Sequence, residues 1–376
     1  MANKLTFIVP GLLDPVPYFE QIPAGEIPEL PVWTRILSRA KISGSEKTDS
    51  SSYNFYTCHI NELGLTDEFK NLSFLPIASI LLRAEQNQTV LSESFLEGKW
   101  VMRVDPGIMT PDRDQLLLSD ISNNRLSRSE SQQLVAEINQ FYENVAAESF
   151  WTLYAVSAEH WYLVSDQAIK IDTFPPENIL GQSVKNYLLT GQDRQHWLRL
   201  FNEFQMILHR SPVNQNRVQN GERAVNCVWF WGNSQHLKPF LKKIIKPRSQ
   251  ISVFSNHDFS MGLVNLLNQT IIKLPDKFLP PCAHSGDCSS GGQNNGLYVF
   301  EQFIKPLENN DLLQWLSVLK SFELNYLQPV VKSISQGKIS QLELVSPQGK
   351  RLLVNKKLLS RWWKRKIDMA VYYSRN

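Results

Sequence analysis

A helix-period run of apolar positions, a polar turn and an apolar strand follow one another between Asp193 and Gly232. Trp197, Leu200, Phe201, Phe204, Ile207 and Leu208 recur at i, i+3, i+4 and i+7, which predicts an amphipathic helix capped by Asp193 and running through Arg210. Pro212 ends it, because the residue before a proline is pushed out of the helical region. Gly221 marks a turn, and residues 225–231 predict a largely buried strand closed by Gly232. Arg217 and Arg223 therefore fall in a polar connection beside a strand end, where α/β proteins commonly hold anions.

The same reading extends along the chain. Residues 5–9 form a short apolar run ending in Pro10-Gly11, as expected of a parallel strand that turns sharply. Prolines at 15, 17, 23, 28 and 31 predict an extended connection, followed by a short helix over 32–40 and a polar loop over 44–53. Residues 74–84 predict a buried helix. Residues 100–104, 151–156, 161–164 and 251–255 predict strands, and the apolar run 116–118 follows Asp112-Arg113-Asp114. Ser127 and Glu130 form a capping box that opens a helix with Leu134, Ile138 and Phe141 on one face and Val135 and Tyr142 beside it. Residues 342–345 and 351–354 flank a Ser-Pro-Gln-Gly-Lys turn, a hairpin signature. Strands alternating with helices predict an α/β fold.

Composition narrows the class. A chain of 376 residues can bury a large core and has room for two domains. Ten tryptophans, several inside apolar runs, are expected mostly in that core. A net charge of +3 makes nucleic acid an unlikely partner. No run approaches the roughly 20 apolar residues of a membrane helix. The start lacks a secretory signal and the four cysteines form no secreted-style framework, so a cytoplasmic location is expected.

Three stretches carry a family resemblance. HRSPVNQNRVQNGERAVNCVWFWG (residues 209–232) resembles the HPVNxxRxxxGxxPANxxWLWGxG segment of archaeal-type cofactor-independent phosphoglycerate mutases. WVMRVDPGIMTPDRDQLLL (100–118) resembles WLRADPVHLRADRDRLLL of the same family. Residues 314–363, ending in LLSRWWKR, resemble its tail, a hairpin followed by a Trp-rich basic helix. The match is closer still to the RpfE-type regulatory proteins, a bacterial family related to those mutases. The resemblance implies an alkaline-phosphatase-like core over residues 1–94 and 236–376, with an inserted α/β domain over 95–235.

The mutases place two divalent metals, such as Mn²⁺, on Asp and His residues to activate a serine that carries the phosphoryl group. Where their first metal-binding Asp should precede a glycine, this chain has Val9-Pro10-Gly11, and no serine among 38, 43, 45 and 50–52 matches the nucleophile. Of the His-x-Gly-Asp ligand motif only Asp311 fits, in Glu-Asn-Asn-Asp, and Asp258 could be a second relic of the metal site. The resemblance therefore implies a pseudoenzyme without cofactors, acting as a regulatory or ligand-binding protein. The alternative is an active metal-dependent mutase or phosphotransferase interconverting 3- and 2-phosphoglycerate with two Mn²⁺ or similar ions.

What survives resembles the substrate-handling insertion. Arg103 and Arg217, with Asn214 and Asn226, would make a pocket for a small phosphate or carboxylate, since a guanidinium fork matches both oxygens. The plainer alternative ties the arginines to carboxylates at Asp105, Asp112, Asp114 or Glu203, as buried arginines usually are. Cys282, His284 and Cys288, with Asp287 or His257, suggest zinc, but the spacing is irregular and an ordinary loop is the commoner outcome. A Ser-His-Asp hydrolase would need a G-x-S-x-G elbow that this chain lacks. Cys227 is expected in the core and Cys58 inert. Arg361, Trp362, Trp363, Lys364 and Arg365, within residues 358–368, would make either a partner-binding surface or a docked terminal helix with a basic outer face.

Overall fold

The computed structural model describes residues 3–44, 54–69, 75–85, 91–113, 115–119, 126–145, 150–179, 183–236, 251–267, 269, 271–280 and 295–373. Most of the 44–53 loop, Asp114, and Cys282, His284, Asp287 and Cys288 lie outside these residues. Two compact units are present, one from residues 1–67 with 246–376 and one from residues 68–245. In chain order the strands are β1 (Asn3–Ile8), β2 (Lys41–Ser43), β3 (Trp100–Asp112), β4 (Gln115–Ser119), β5 (Trp151–Ala155), β6 (Trp161–Ser165), β7 (Cys227–Gln235), β8 (Ile251–Phe254), β9 (Ile271–Ile272), β10 (Asn295–Val299), β11 (Ile339–Val345) and β12 (Arg351–Asn355). With helices and sheets in both units, the fold is α/β.

The first unit holds a seven-stranded sheet in the order β2-β12-β11-β1-β10-β8-β9. β1 lies parallel to both β10 and β11, and β8 and β9 continue the parallel run. Leu5, Phe7 and Ile8 are fully buried, the continuous apolar reading of a strand covered on both faces. Phe7 packs between Tyr298 and Phe300, each at 5.0 Å between ring centroids, and Tyr298 stacks on Phe254 at 4.2 Å. The hairpin read from residues 342–354 is β11 and β12, paired antiparallel. Helices Leu312–Phe322 and Gln328–Ser335 are joined by a π turn, Glu323–Leu327. The widened turn presents the buried Glu323 carboxylate to the start of helix Pro31–Arg39, where it accepts from the backbone N–H of Trp33 at 2.8 Å and of Val32 at 3.4 Å. Two otherwise orphaned helix donors are satisfied in this way.

The second unit is built on an antiparallel sheet. The 13-residue β3 pairs with β6 through its first residues, with β7 along most of its length and with β4 at its end. Helix Arg128–Val145 opens with the expected capping box: Glu130 N–H donates to Ser127 Oγ and Ser127 N–H to Glu130 Oε2. Its buried face carries Leu134, Val135, Ile138 and Tyr142, whereas Phe141 is 40% exposed, so the apolar stripe is rotated from the expected one.

Three expectations about residues 193–235 need correction. Asp193 precedes helix Arg194–Arg210 without capping it, since its carboxylate accepts from Lys170 N–H instead. Pro212 follows the helix end as expected, but it does not lead into an irregular connection. It is the first residue of a new helix, Pro212–Gln219, whose Ser211 cap accepts from Val213 N–H, so Arg217 is helical. Gly232 does not close the strand, because β7 passes through it to Gln235 with φ at +68°. A Cβ there would stand 3.3 Å from the backbone nitrogen of Ala78, so glycine allows both the conformation and the close approach of helix Ile77–Ala84.

The C-terminal tail also departs from expectation. Residues 358–368 are not one helix. A short helix, Lys356–Leu359, gives way to a turn, and helix Met369–Tyr373 follows. Among the described residues no helix is long and apolar enough to cross a membrane.

Candidate functional sites

In the second unit, β3 and β6 place Arg103 beside Tyr162, and β7 brings Trp231 opposite Arg103. Arg103 is 4% exposed. Its Nε donates to Asp105 Oδ1 at 2.8 Å, its Nη1 donates to the Tyr162 hydroxyl at 3.2 Å and lies 3.6 Å from Glu85 Oε1. The guanidinium also lies over the rings of Tyr162 and Trp231, at 5.1 and 5.4 Å from their centroids. Trp231 Nε1 donates to Asp105 Oδ2 at 2.6 Å. Tyr162 donates to Glu85 Oε1 at 2.9 Å, and His160 Nδ1 is 3.0 Å from the same oxygen. Burial pushes the Glu85 carboxyl up, but the bond from His160, the charges of His160 and Arg103 and the bond from Tyr162 prevail and hold it below its ordinary value. Burial likewise pulls Arg103 down, yet Asp105, Tyr162 and Glu85 leave its guanidinium more firmly protonated than usual. The result is an aromatic-walled network of one guanidinium and two carboxylates.

Arg217 stands among other partners. Its Nη1 donates to Glu130 Oε1 at 2.8 Å and lies 3.2 Å from Glu222 Oε2, and its Nε donates to the Arg223 carbonyl. Glu130 thus serves the capping box with one oxygen and Arg217 with the other. Asn214 donates to the carbonyls of Leu208 and Val225 and accepts from Val225 N–H. Asn226 bonds both backbone groups of Met109. These bonds pin helix Pro212–Gln219 to the start of β7 and β7 to β3. Carboxylate partners are present for both arginines: of the expected set Asp105 pairs with Arg103, while Glu203 pairs with Arg199 and Tyr142.

A second cluster lies in the first unit, at the carboxyl ends of its parallel strands, the edge where open α/β sheets bind ligands. His257 and Asp258 follow β8, and Glu301 follows β10. His257 Nδ1 accepts from Phe259 N–H and caps helix Asp258–Leu266, and its Nε2 lies 4.0 Å from Glu301 Oε2. Burial, then the charge of Asp258, raises the Glu301 carboxyl. His59 is fully buried with its ring 6.1 Å from that of His257. Its Nδ1 donates to the Phe55 carbonyl at 2.8 Å, which leaves Nε2 as an acceptor with no hydrogen-bond partner among the described residues. Burial lowers the His59 pKa to about 4.

The metal pair implied by the family resemblance does not fit this edge. The end of β1 carries Val9, Leu12 and Leu13, all fully buried, and the carbonyl of Gly11 accepts from Trp315 Nε1. Asp311, one expected relic, caps helix Leu312–Phe322 by accepting from Gln314 N–H at 2.9 Å. Within this unit no three described His, Cys, Asp or Glu side chains bring ligand atoms within 4.8 Å of one another. Cys58 and Cys227 are buried thiols pushed up to about 12 by desolvation, which makes them poor nucleophiles and ligands.

Residues 94–214 match the family model described as 2,3-bisphosphoglycerate-independent phosphoglycerate mutase. This segment is mutase-like. A probable 2,3-bisphosphoglycerate-independent phosphoglycerate mutase of Geobacter sulfurreducens is 25% identical over 133 residues, which are 35% of this chain and 33% of that protein. The 2,3-bisphosphoglycerate-independent phosphoglycerate mutase of Methanosarcina mazei is 26% identical over 117 residues, 31% of this chain and 29% of that one. The chain thus matches these relatives over a third or less of their length. Among solved structures, the cofactor-independent phosphoglycerate mutase of Thermoplasma acidophilum superposes with a TM-score of 0.41 at 12% identity, covering 100% of this chain and 95% of that one. Arg103, Asp105, His160 and Tyr162 fall within the matched segment, as do Glu130 and Asn214, whereas Arg217 lies just beyond it and the His257 cluster is outside it.

Sequence reasoning missed Glu85, Tyr162, Trp231, His59 and Glu301. Glu301 carried a usable signal, because residues 297–300 are apolar and would have placed it just past a strand. The others depend on long-range pairings that no local pattern encodes.

Proposed function

We propose that the chain is a non-catalytic regulatory or ligand-binding relative of cofactor-independent phosphoglycerate mutases, of the RpfE type. The observation that carries this reading is the apolar end of β1. A carboxylate there would be needed to hold a metal; Val9, Leu12 and Leu13 put buried hydrocarbon at the position, and the carboxylate that follows them, Asp14, is engaged by Ser346 Oγ. Asp311, occupied as a helix cap, points the same way. The ligand class suggested by the mutase-like segment is a small anion. It would have to compete with the carboxylates already paired to Arg103 and Arg217, so binding is expected to be weak unless one of them swings aside.

One observation favours the alternative of an active phosphotransferase: the His257, Asp258 and Glu301 group at the ligand-binding edge of the sheet. Two measurements separate the readings. The purified protein is assayed for bound metal, and for conversion of 3- to 2-phosphoglycerate with added Mn²⁺. Absence of turnover, together with a melting temperature raised by 3-phosphoglycerate, supports the binding protein. Turnover abolished both by chelation and by Asp258→Asn overturns it.

A further inference from the structure

The turn that replaces the expected C-terminal helix carries two exposed tryptophans. Trp362 is 79% and Trp363 65% exposed, whereas Trp33, Trp161, Trp197 and Trp315 are fully buried. Lys364, Arg365 and Lys366 beside them are exposed, as are Lys356 and Lys357 one turn earlier, and no acidic residue occurs between Lys356 and Ile367.

Both ends of the turn are fixed. Arg35 and Arg39, on helix Pro31–Arg39, donate to the Leu359 carbonyl, and Ile367 N–H donates to Ser38 Oγ at 2.9 Å. Leu358 and Leu359 are buried, so the turn is held out from a packed base. Leaving two indoles in water gives up the hydrophobic stabilisation that burying them would bring.

We infer that residues 361–366 dock the protein on an anionic lipid surface, the indoles entering the headgroup layer and the cations pairing with lipid phosphates. This goes beyond the binding role proposed above and does not depend on it. Indoles settle at membrane interfaces because their bodies are apolar and their N–H groups are wet. Basic residues flanking them add attraction to a negative leaflet, each worth about 1 kcal/mol, or about fivefold in affinity. Single-stranded nucleic acid is the other partner such a composition suits, but the geometry disfavours it. The two rings meet edge to face at 86°, so they cannot offer parallel faces to successive bases. The basic-aromatic stretch is also a single turn, short for the several nucleotides that a strand-binding groove tracks.

The test is co-sedimentation of the full chain with phosphatidylcholine vesicles, with and without one-third phosphatidylglycerol. Binding is expected only to the anionic vesicles, with loss at high salt. Lys364→Glu with Arg365→Glu is expected to weaken it by about 30-fold or more. Trp362→Ser with Trp363→Ser should weaken it as well. All four positions are exposed, so the melting temperature should not change. No binding to anionic vesicles at low salt, equal binding to neutral ones, or binding unchanged in both double variants overturns the inference. Capture of a short oligonucleotide in place of vesicles overturns it too.

Discussion

The centres of the two sheets treat polar groups in opposite ways, although at its antiparallel edge the first unit also pairs Arg351 with Glu62 and Glu343. In the first, the centre is hydrocarbon: β1 is apolar on both faces, and Glu323 is buried only as a cap, answered by backbone N–H groups rather than by a cation. In the second, the sheet centre holds Arg103, Asp105, Glu85 and Tyr162 in a bonded network under aromatic walls. The difference is that a parallel sheet covered on both faces has little room for side-chain charge, whereas an antiparallel strand alternates its faces. It also separates resemblance from chemistry. The mutase-like segment holds buried charge tied up in its own ion pairs, and the first strand of the other unit ends in buried valine and leucine.

That contrast can be broken most sharply at Arg103. Arg103→Met leaves Glu85 and Asp105 buried without their cation, and should cost the second unit about 3–5 kcal/mol. Hydrogen exchange at β3 and β6 amides would report it, with β1 and β10 unaffected. A similar loss in both units would mean that the network does not belong to one of them.

His59 gives the next largest effect and belongs to the first unit. Its folded pKa is about 4, below the unfolded value of 6.5, so the unfolded chain binds the extra proton between those limits. Stability is complete above about pH 6.5 and falls as the pH drops toward 4, by up to about 3 kcal/mol. Urea titrations at pH 7 and pH 4.5 should show this difference, and His59→Gln should reduce it.

Smaller again is Glu323→Ala, which orphans the N–H groups of Trp33 and Val32 at a loss of about 1–3 kcal/mol. Denaturant midpoints would measure it. Smallest is Ser127→Ala, which removes half a capping box for about 1 kcal/mol, readable as a small drop in melting temperature.

Elements governed by neighbours in sequence were legible. The capping box at Ser127 and Glu130, the hairpin of β11 and β12, and the strands at residues 100, 151, 161 and 251 follow from local patterns. Pro212 shows where that logic stops, because a proline ends one helix and starts another with equal ease, and only Ser211 as a cap decides. Arg217 stands out in the sequence, but its partner Glu130 lies 87 residues away. Asp193 has the right residue type for a cap, yet Lys170 N–H, 23 residues earlier, claims its carboxylate. At the tail, basic and aromatic residues matched a helix in composition, although tethers from Ser38, Arg35 and Arg39 shape them into a turn.

The position of β1 has a consequence for synthesis. It is made long before its two neighbours, β10 and β11, which begin at Asn295 and Ile339. A ribosome adding about 5–20 residues per second leaves this apolar strand without either partner for on the order of tens of seconds. The second unit, contained in one continuous stretch, can close on itself during that interval. Until then, Leu5, Phe7 and Ile8 present a bare strand edge, and nascent chains of this protein should rely on holding chaperones at that segment.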